Sequence, residues 1–194
     1  MTVKTLRIHT SKTANNYKKL IVRITYTDYF KRLTSKDEAI KKAIKEIQLS
    51  DISIKSFDDF KFFVNVNTKN FYLLSDHNSK VELNLKSEIA TIKLSKNAKL
   101  KGLLAVTDLQ IDMYQKAIAD LEGDVTKANI RLDNNVNFIA DNLLITNVQL
   151  LAESYSSCSI NVNKDISIDA NANAEIKLYG DQKIEIKRFA DNAI

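Results

Sequence analysis

One interval governs the second half of this chain. Ile130, Val148, Ile166 and Ile184 lie 18 residues apart, and Leu132, Leu150, Ile168 and Ile186 keep the same interval. Two apolar columns that share one period mark a chain built by stacking like on like. The residue before each member of the first column is polar: Asn129, Asn147, Asp165 and Lys183. Apolar and polar residues alternate within each segment, as in Ile166-Ser167-Ile168-Asp169 and Ile184-Glu185-Ile186-Lys187. One face therefore points inward and the other is wet. Helices would need apolar spacings of three and four, and these segments have two. A parallel β-solenoid, a β-helix-like stack with coils about 4.8 Å apart, satisfies both the period and the alternation. Upstream, Leu109 and Ile111 join the two columns through a longer interval of 21 residues.

A second set of strands lies between these columns, marked by Ile118, Phe138, Cys158 with Ile160, Ile176 and Ile194. Each follows a small or polar turn: Tyr114-Gln115-Lys116-Ala117, Asn134-Asn135-Val136-Asn137, Ser154-Tyr155-Ser156-Ser157, Asn171-Ala172-Asn173-Ala174 and Asp191-Asn192-Ala193. The chain has only 3 Gly and 0 Pro. Asn is then the residue left to occupy turn positions with positive φ, because among side-chain-bearing residues it tolerates them best.

The C-terminal run Asp165-Ile-Ser-Ile-Asp-Ala-Asn-Ala-Asn-Ala-Glu-Ile-Lys-Leu-Tyr-Gly180, followed by Asp181-Gln-Lys-Ile184 and Phe189-Ala-Asp-Asn-Ala-Ile194, resembles the bacterial auto-transporter adhesin head domain, also called the GIN domain. Its members repeat a strand, a Ser-Gly-Ala-Gly-Ser-like corner and a second strand. The resemblance extends through the repeat from residue 109 to 194. Asn171, Asn173, Asp191 and Asn192 stand where the family favours Gly and Ser, a change that the left-handed tolerance of Asn accommodates. The resemblance implies a right-handed β-helix-like stack of unknown ligand, with adhesion itself a family label. It supplies no catalytic residues.

Upstream of the repeat, the pattern predicts two further zones. Residues 51–108 read as short alternating strands, antiparallel or irregular, leading into a solenoid that occupies 51–194 as a whole. Residues 1–50 read as a small, basic α+β extension. Val3–Ile8 and Leu20–Phe30 alternate like strands. Ser35 and Glu38 make a capping-box pattern before Ile40, Ala43, Ile44 and Ile47, which predicts an amphipathic helix over Lys36–Gln48 that covers the first coil. The net charge of +5 belongs to this quarter of the chain: residues 1–50 hold 12 Lys/Arg against 4 Asp/Glu, and the remainder 17 against 20.

The residues that could carry chemistry are scattered. His9 and His77 have no paired metal-ligand spacing around them, and Gly102, Gly123 and Gly180 cannot form a phosphate-cradling loop. Cys158 sits at a core-facing position of the repeat, where a thiol is inert packing. Asp133, Asp169 and Glu185 are isolated alternating residues, unlike the clustered carboxylates of a hydrolase or lyase. Lys18, Lys19, Arg23, Lys31 and Arg32 interleave with Tyr17, Tyr26, Tyr29 and Phe30, yet strand alternation separates charges from aromatics as readily as it joins them, so no nucleic-acid partner is expected.

These features predict a protein that is no enzyme, uses no cofactor or metal, and turns over no small-molecule substrate. The expected function is an adhesin-like binding module, with a glycan or protein partner contacted at the corners by Asn134, Asn137, Ser154, Tyr155, Asn171 and Asn173. The rival expectation is a cytoplasmic self-assembling β-helical scaffold, similar in idea to the bactofilins. An apolar Ile194 in mid-repeat predicts homo-oligomers through solenoid ends or faces. No run of 18 apolar residues predicts a membrane-spanning helix. Residues 1–50 read without a signal peptide, which places the chain in the cytoplasm as written. The family resemblance favours export or the cell surface if a leader precedes it.

Overall fold

The computed structural model describes residues 6, 8, 25–35 and 40–194. They form an 11-stranded sheet wound into a β-solenoid of about 8 turns. The strands are β1 (Arg32–Ser35), β2 (Ile40–Lys42), β3 (Ile47–Ser56), β4 (Lys61–Ser75), β5 (Lys80–Leu94), β6 (Lys99–Tyr114), β7 (Ile118–Asp133), β8 (Asn137–Ala152), β9 (Ser157–Ala170), β10 (Glu175–Tyr179) and β11 (Lys183–Phe189). All of their pairings are parallel. From β3 to β9 each strand lies on the next in sequence, and β10 and β11 together cover β9.

Each long strand is bent once. In β4 the alternation of buried and exposed residues slips at Lys69-Asn70, where two exposed residues follow one another. The pairing with β5 skips Lys69 and Glu88 at this point, and the pairing of β6 with β7 skips Thr107 and Thr126. A coil thus has two legs, joined by this bend and closed by a tight turn. The hydroxyls of Thr68 and Ser87 sit inside the bend, where each donates to a carbonyl of the preceding coil, Ser50 O at 2.9 Å and Lys69 O at 2.9 Å. Val106 and Val125 take the equivalent places further along.

Columns of buried side chains fill the space between the legs. Phe62, Val81, Leu100, Ala119, Phe138 and Cys158 form one column, and Leu73, Ile92, Ile111, Ile130, Leu150 and Ile168 another. Large and small residues alternate where coils crowd. Gly102 lies beside Leu121, whose Cδ2 would stand 3.1 Å from a Cβ at that position.

The turns form a column of their own. Positive φ occurs at Lys96 and Asn97, Gln115 and Lys116, Asn134 and Asn135, Ser154 and Tyr155, Ala172 and Asn173, and Asp191 and Asn192. Two such residues in succession make a type I′ turn. Asn does contribute, as its tolerance predicts, but Lys, Gln, Tyr and Ala sit there too. The reason lies between the coils. The second residue of each pair donates its N–H to the carbonyl of the first residue of the next pair: Asn97 to Gln115 (3.1 Å), Lys116 to Asn134 (3.0 Å), Asn135 to Ser154 (2.9 Å), Tyr155 to Ala172 (2.9 Å) and Asn173 to Asp191 (2.8 Å). This ladder holds the left-handed backbone whatever the side chain, offsetting a cost of roughly 1–2 kcal/mol per residue with hydrogen bonds of about 1 kcal/mol each.

Three expectations are corrected. The prevailing interval is 19, not 18 or 21: Leu109 pairs with Ala128 and Ile111 with Ile130, while Ile130 pairs with Leu150 instead of Val148. The 18-residue interval holds only at the end, through Val148, Ile166 and Ile184. A two-residue slip preserves the alternation of apolar and polar positions, so hydropathy alone does not separate these registers. Residues 61–94 are neither antiparallel nor irregular but regular parallel coils. The helix expected over Lys36–Gln48 is absent where the chain is described: Ile40–Lys42 is strand, β3 begins at Ile47, and residues 36–39 lie outside the described residues. Coil pairing with β4 overrides the helical spacing of Ile40, Ala43 and Ile47.

Candidate binding surface

The outward residues of each leg are held in columns by the same register as the core. On the second leg, Thr91, Gln110, Asn129, Gln149 and Ser167 follow one another across five coils. Beside them run Ile89, Asp108, Lys127, Asn147 and Asp165. The two columns line an open groove of about 510 Å³ along the solenoid axis. Its surface is mostly apolar, with Ile89, Ala90, Leu109, Ala128 and Val148 in its lining, and the amides and hydroxyls of the first column run along it as donors and acceptors at the coil spacing of about 4.8 Å. A second open groove, of about 990 Å³, follows the bend past Thr107, Thr126 and Thr146, with Leu49 and Leu144 among its apolar walls.

A charged column flanks the amide groove. Lys93 meets Asp112 at 3.2 Å, Arg131 lies over the Tyr114 ring at 5.4 Å, and Arg188 donates to Asp169 at 2.6 Å. The Asp112 hydrogen bond and charge raise the Lys93 pKa, and the Asp169 hydrogen bond raises that of Arg188. Asp76, at the turn after β4, is held below the ordinary carboxylate range. Its partial burial opposes this, but hydrogen bonds from Ser95, the His77 N–H and Lys96 prevail. These contacts tie one coil to the next and leave the groove's amides facing solvent.

The corner residues divide. Asn134, Ser154, Tyr155 and Asn173 come together on the turn column, with Asn134 and Tyr155 exposed. Asn137 opens β8, exposed, between Ile118 and Ser157 in the neighbouring coils. Asn171 does not join them: it is buried, and its Nδ2 donates to Glu153 Oε1 at 3.0 Å. Cys158 is buried, and desolvation pushes its pKa up to about 12, which keeps the thiol protonated. His77 is exposed beside Asp76, while His9, Lys18, Lys19 and Arg23 lie outside the described residues. The groove column of Gln110, Asn129 and Gln149 escapes the 18-residue reading, since it emerges only at intervals of 19 and 20.

Among the described residues there is no group of three His, Cys, Asp or Glu side chains placed to hold a metal ion. No helix among them is long and apolar enough to cross a membrane. Each coil adds one more polar residue to the groove column.

No curated protein and no solved structure matches the chain. The family described as "Putative auto-transporter adhesin, head GIN domain" matches residues 2–181, reaching far upstream of the repeat that carries the resemblance. Its stacked coils, positive-φ corners and β-only core stand with that match, and the chain belongs to this family.

Proposed function

We propose that the chain is a non-enzymatic, adhesin-like binding module that presents its repetitive β surface to an extended ligand, a glycan or a partner protein, at the cell surface. The observation that carries the reading is the in-register column Thr91, Gln110, Asn129, Gln149 and Ser167 along the groove. A row of amides and hydroxyls at one-coil intervals suits a ligand that is itself a repeat, because every coil then makes the same contact. The family description supports it as well, since it names an adhesin head. The turn column, with Asn134, Ser154, Tyr155 and Asn173, forms the second contact surface.

A glycan array combined with a cell-surface pull-down tests the proposal. Binding is expected, with a loss of about a hundredfold when Gln110, Asn129 and Gln149 are changed together to Ala, as truncating three hydrogen-bonding groups of about 1 kcal/mol each implies. Empty results from both experiments would remove the reading.

A self-assembling scaffold is the second reading. It is favoured by the last described coil, where Ile184, Ile186 and Phe189 continue the core columns yet are 47%, 60% and 45% exposed. An open parallel edge with apolar inward residues accepts a further strand. Electron microscopy separates the readings, since filaments of the purified chain belong to the scaffold alone.

A further inference from the structure

The outward face of the first leg carries a feature that the amide groove does not use. Lys61, Lys80 and Lys99 are direct register neighbours in three successive coils, and all three are exposed. Their Cα atoms are therefore about 4.8 Å apart, with the outer two separated by roughly 10 Å. Like charges placed side by side in a sheet are destabilising. Among the described residues, no carboxylate lies within ion-pair distance of any of the three, whereas Lys93, Lys96, Lys101 and Lys177 each have one. The next residue in the column is Ile118, so the ladder ends there.

Its surroundings define what it can hold. Two residues further along each coil the same face presents Phe63, the exposed Glu82 and Lys101, and two beyond that Asn65 and Asn84, joined by a hydrogen bond of 2.8 Å. Exposed Asp120, Glu122 and Asp124 of β7 lie one coil beyond β6 and close the face to anions in that direction. Ammonium groups for acid groups and amides for hydroxyls form the complement of a charged sugar chain. A single-stranded nucleic acid would call for stacked aromatic platforms, and this face offers only the half-buried Phe63.

We propose that Lys61, Lys80 and Lys99, with Asn65 and Asn84 beside them, form a binding site for a linear acidic polysaccharide. The proposal rests on the binding-module reading and names a ligand class for it, on a face separate from the amide groove. A polymer with one acid group per sugar places successive charges against successive coils, and it removes the lysine–lysine repulsion that the isolated fold leaves uncompensated. The site spans three coils, so it engages a short run of the polymer and binds more weakly as salt rises.

The test is fluorescence anisotropy with labelled polygalacturonate oligomers, with neutral glucan oligomers of the same length and single-stranded oligothymidylate as comparisons. The charge-matched variants are Lys61→Gln/Lys80→Gln/Lys99→Gln and Lys164→Gln/Lys177→Gln/Lys187→Gln. The uronate oligomer should bind most tightly. The ladder variant should lose at least tenfold, and the second triple variant less than threefold. The ladder variant should also melt no lower than the unaltered chain at low salt, since it loses no ion pair. If it melts lower, Lys80→Gln alone replaces it and should still lose severalfold. Equal losses in both triple variants, or oligothymidylate binding as tightly as uronate, would overturn the assignment. Tight binding of neutral glucan that the ladder variant leaves unchanged would sink this site and keep the module reading. Binding of no glycan at all would sink this site and leave the module reading to the cell-surface pull-down.

Discussion

Ala172 and Asn173 share one left-handed turn with φ of 51° and 61°, and they show how little the side chain decides there. Alanine has no local hydrogen bond to offer, yet its carbonyl accepts the Tyr155 N–H at 2.9 Å. Ala172→Gly removes a strain of roughly 1–2 kcal/mol at the expense of 0.5–1 kcal/mol of backbone entropy. It should therefore stabilise by about 0.5–1 kcal/mol in urea unfolding. Gly123 is the opposite case: φ is +113°, and a Cβ would stand 2.1 Å from Leu104 O. Gly123→Ala should cost at least ~2–3 kcal/mol by the same measurement. Cys158 gives a pH signature. Its native pKa, pushed up by burial to about 12, lies above the unfolded value near 8.5, so the native state keeps the proton longer. Its contribution is intact below about pH 8.5 and is lost as pH rises toward the native value. Between pH 7 and 10 the stability gap between the unaltered chain and Cys158→Ala should narrow by ~2 kcal/mol. Parallel pH-dependent unfolding curves would contradict the buried thiol.

At the scale of the coil, strand type was readable from the alternation in segments such as Ile166–Asp169, because a half-buried strand imposes it. Register was readable only in part. Val148, Ile166 and Ile184 do stack at 18, but β7 pairs with β8 at an interval of 19 up to Asp120 and of 20 from Glu122 onward, which sets Ile130 on Leu150, two positions from Val148. Alternation is blind to a shift of two. The strands at Ile40–Lys42 and Ile47–Ser56 were hidden for another reason: helical spacing was present, and pairing with β4 outweighed it. Of the proposed contact surfaces, the turn positions were legible from composition. The groove column and the lysine ladder were not, because both need the 19-residue register to bring Gln110 to Asn129 and Lys61 to Lys80. Packing at this scale has a direct test. Phe138, fully buried between Ala119 and Cys158 in its column, should cost about 3–5 kcal/mol as Phe138→Ala. A loss under 1 kcal/mol would mean that the column is not packed as described.

For the whole molecule, the register links the core to the proposed contact surface. The interval that stacks Leu73, Ile92 and Ile111 inside also aligns Thr91, Gln110 and Asn129 outside. On the proposed reading such a surface binds by accumulation, so affinity depends on how many coils the ligand crosses. The most direct measurement is the affinity for one linear glycan across a series of lengths, taken on the same purified chain. The account predicts that affinity rises with each added sugar and levels off once the ligand spans the groove, and that the Gln110/Asn129/Gln149 variant flattens the rise. An affinity that is the same for a monosaccharide and a long oligomer, or that is absent at every length and for every cell-surface extract, would contradict it.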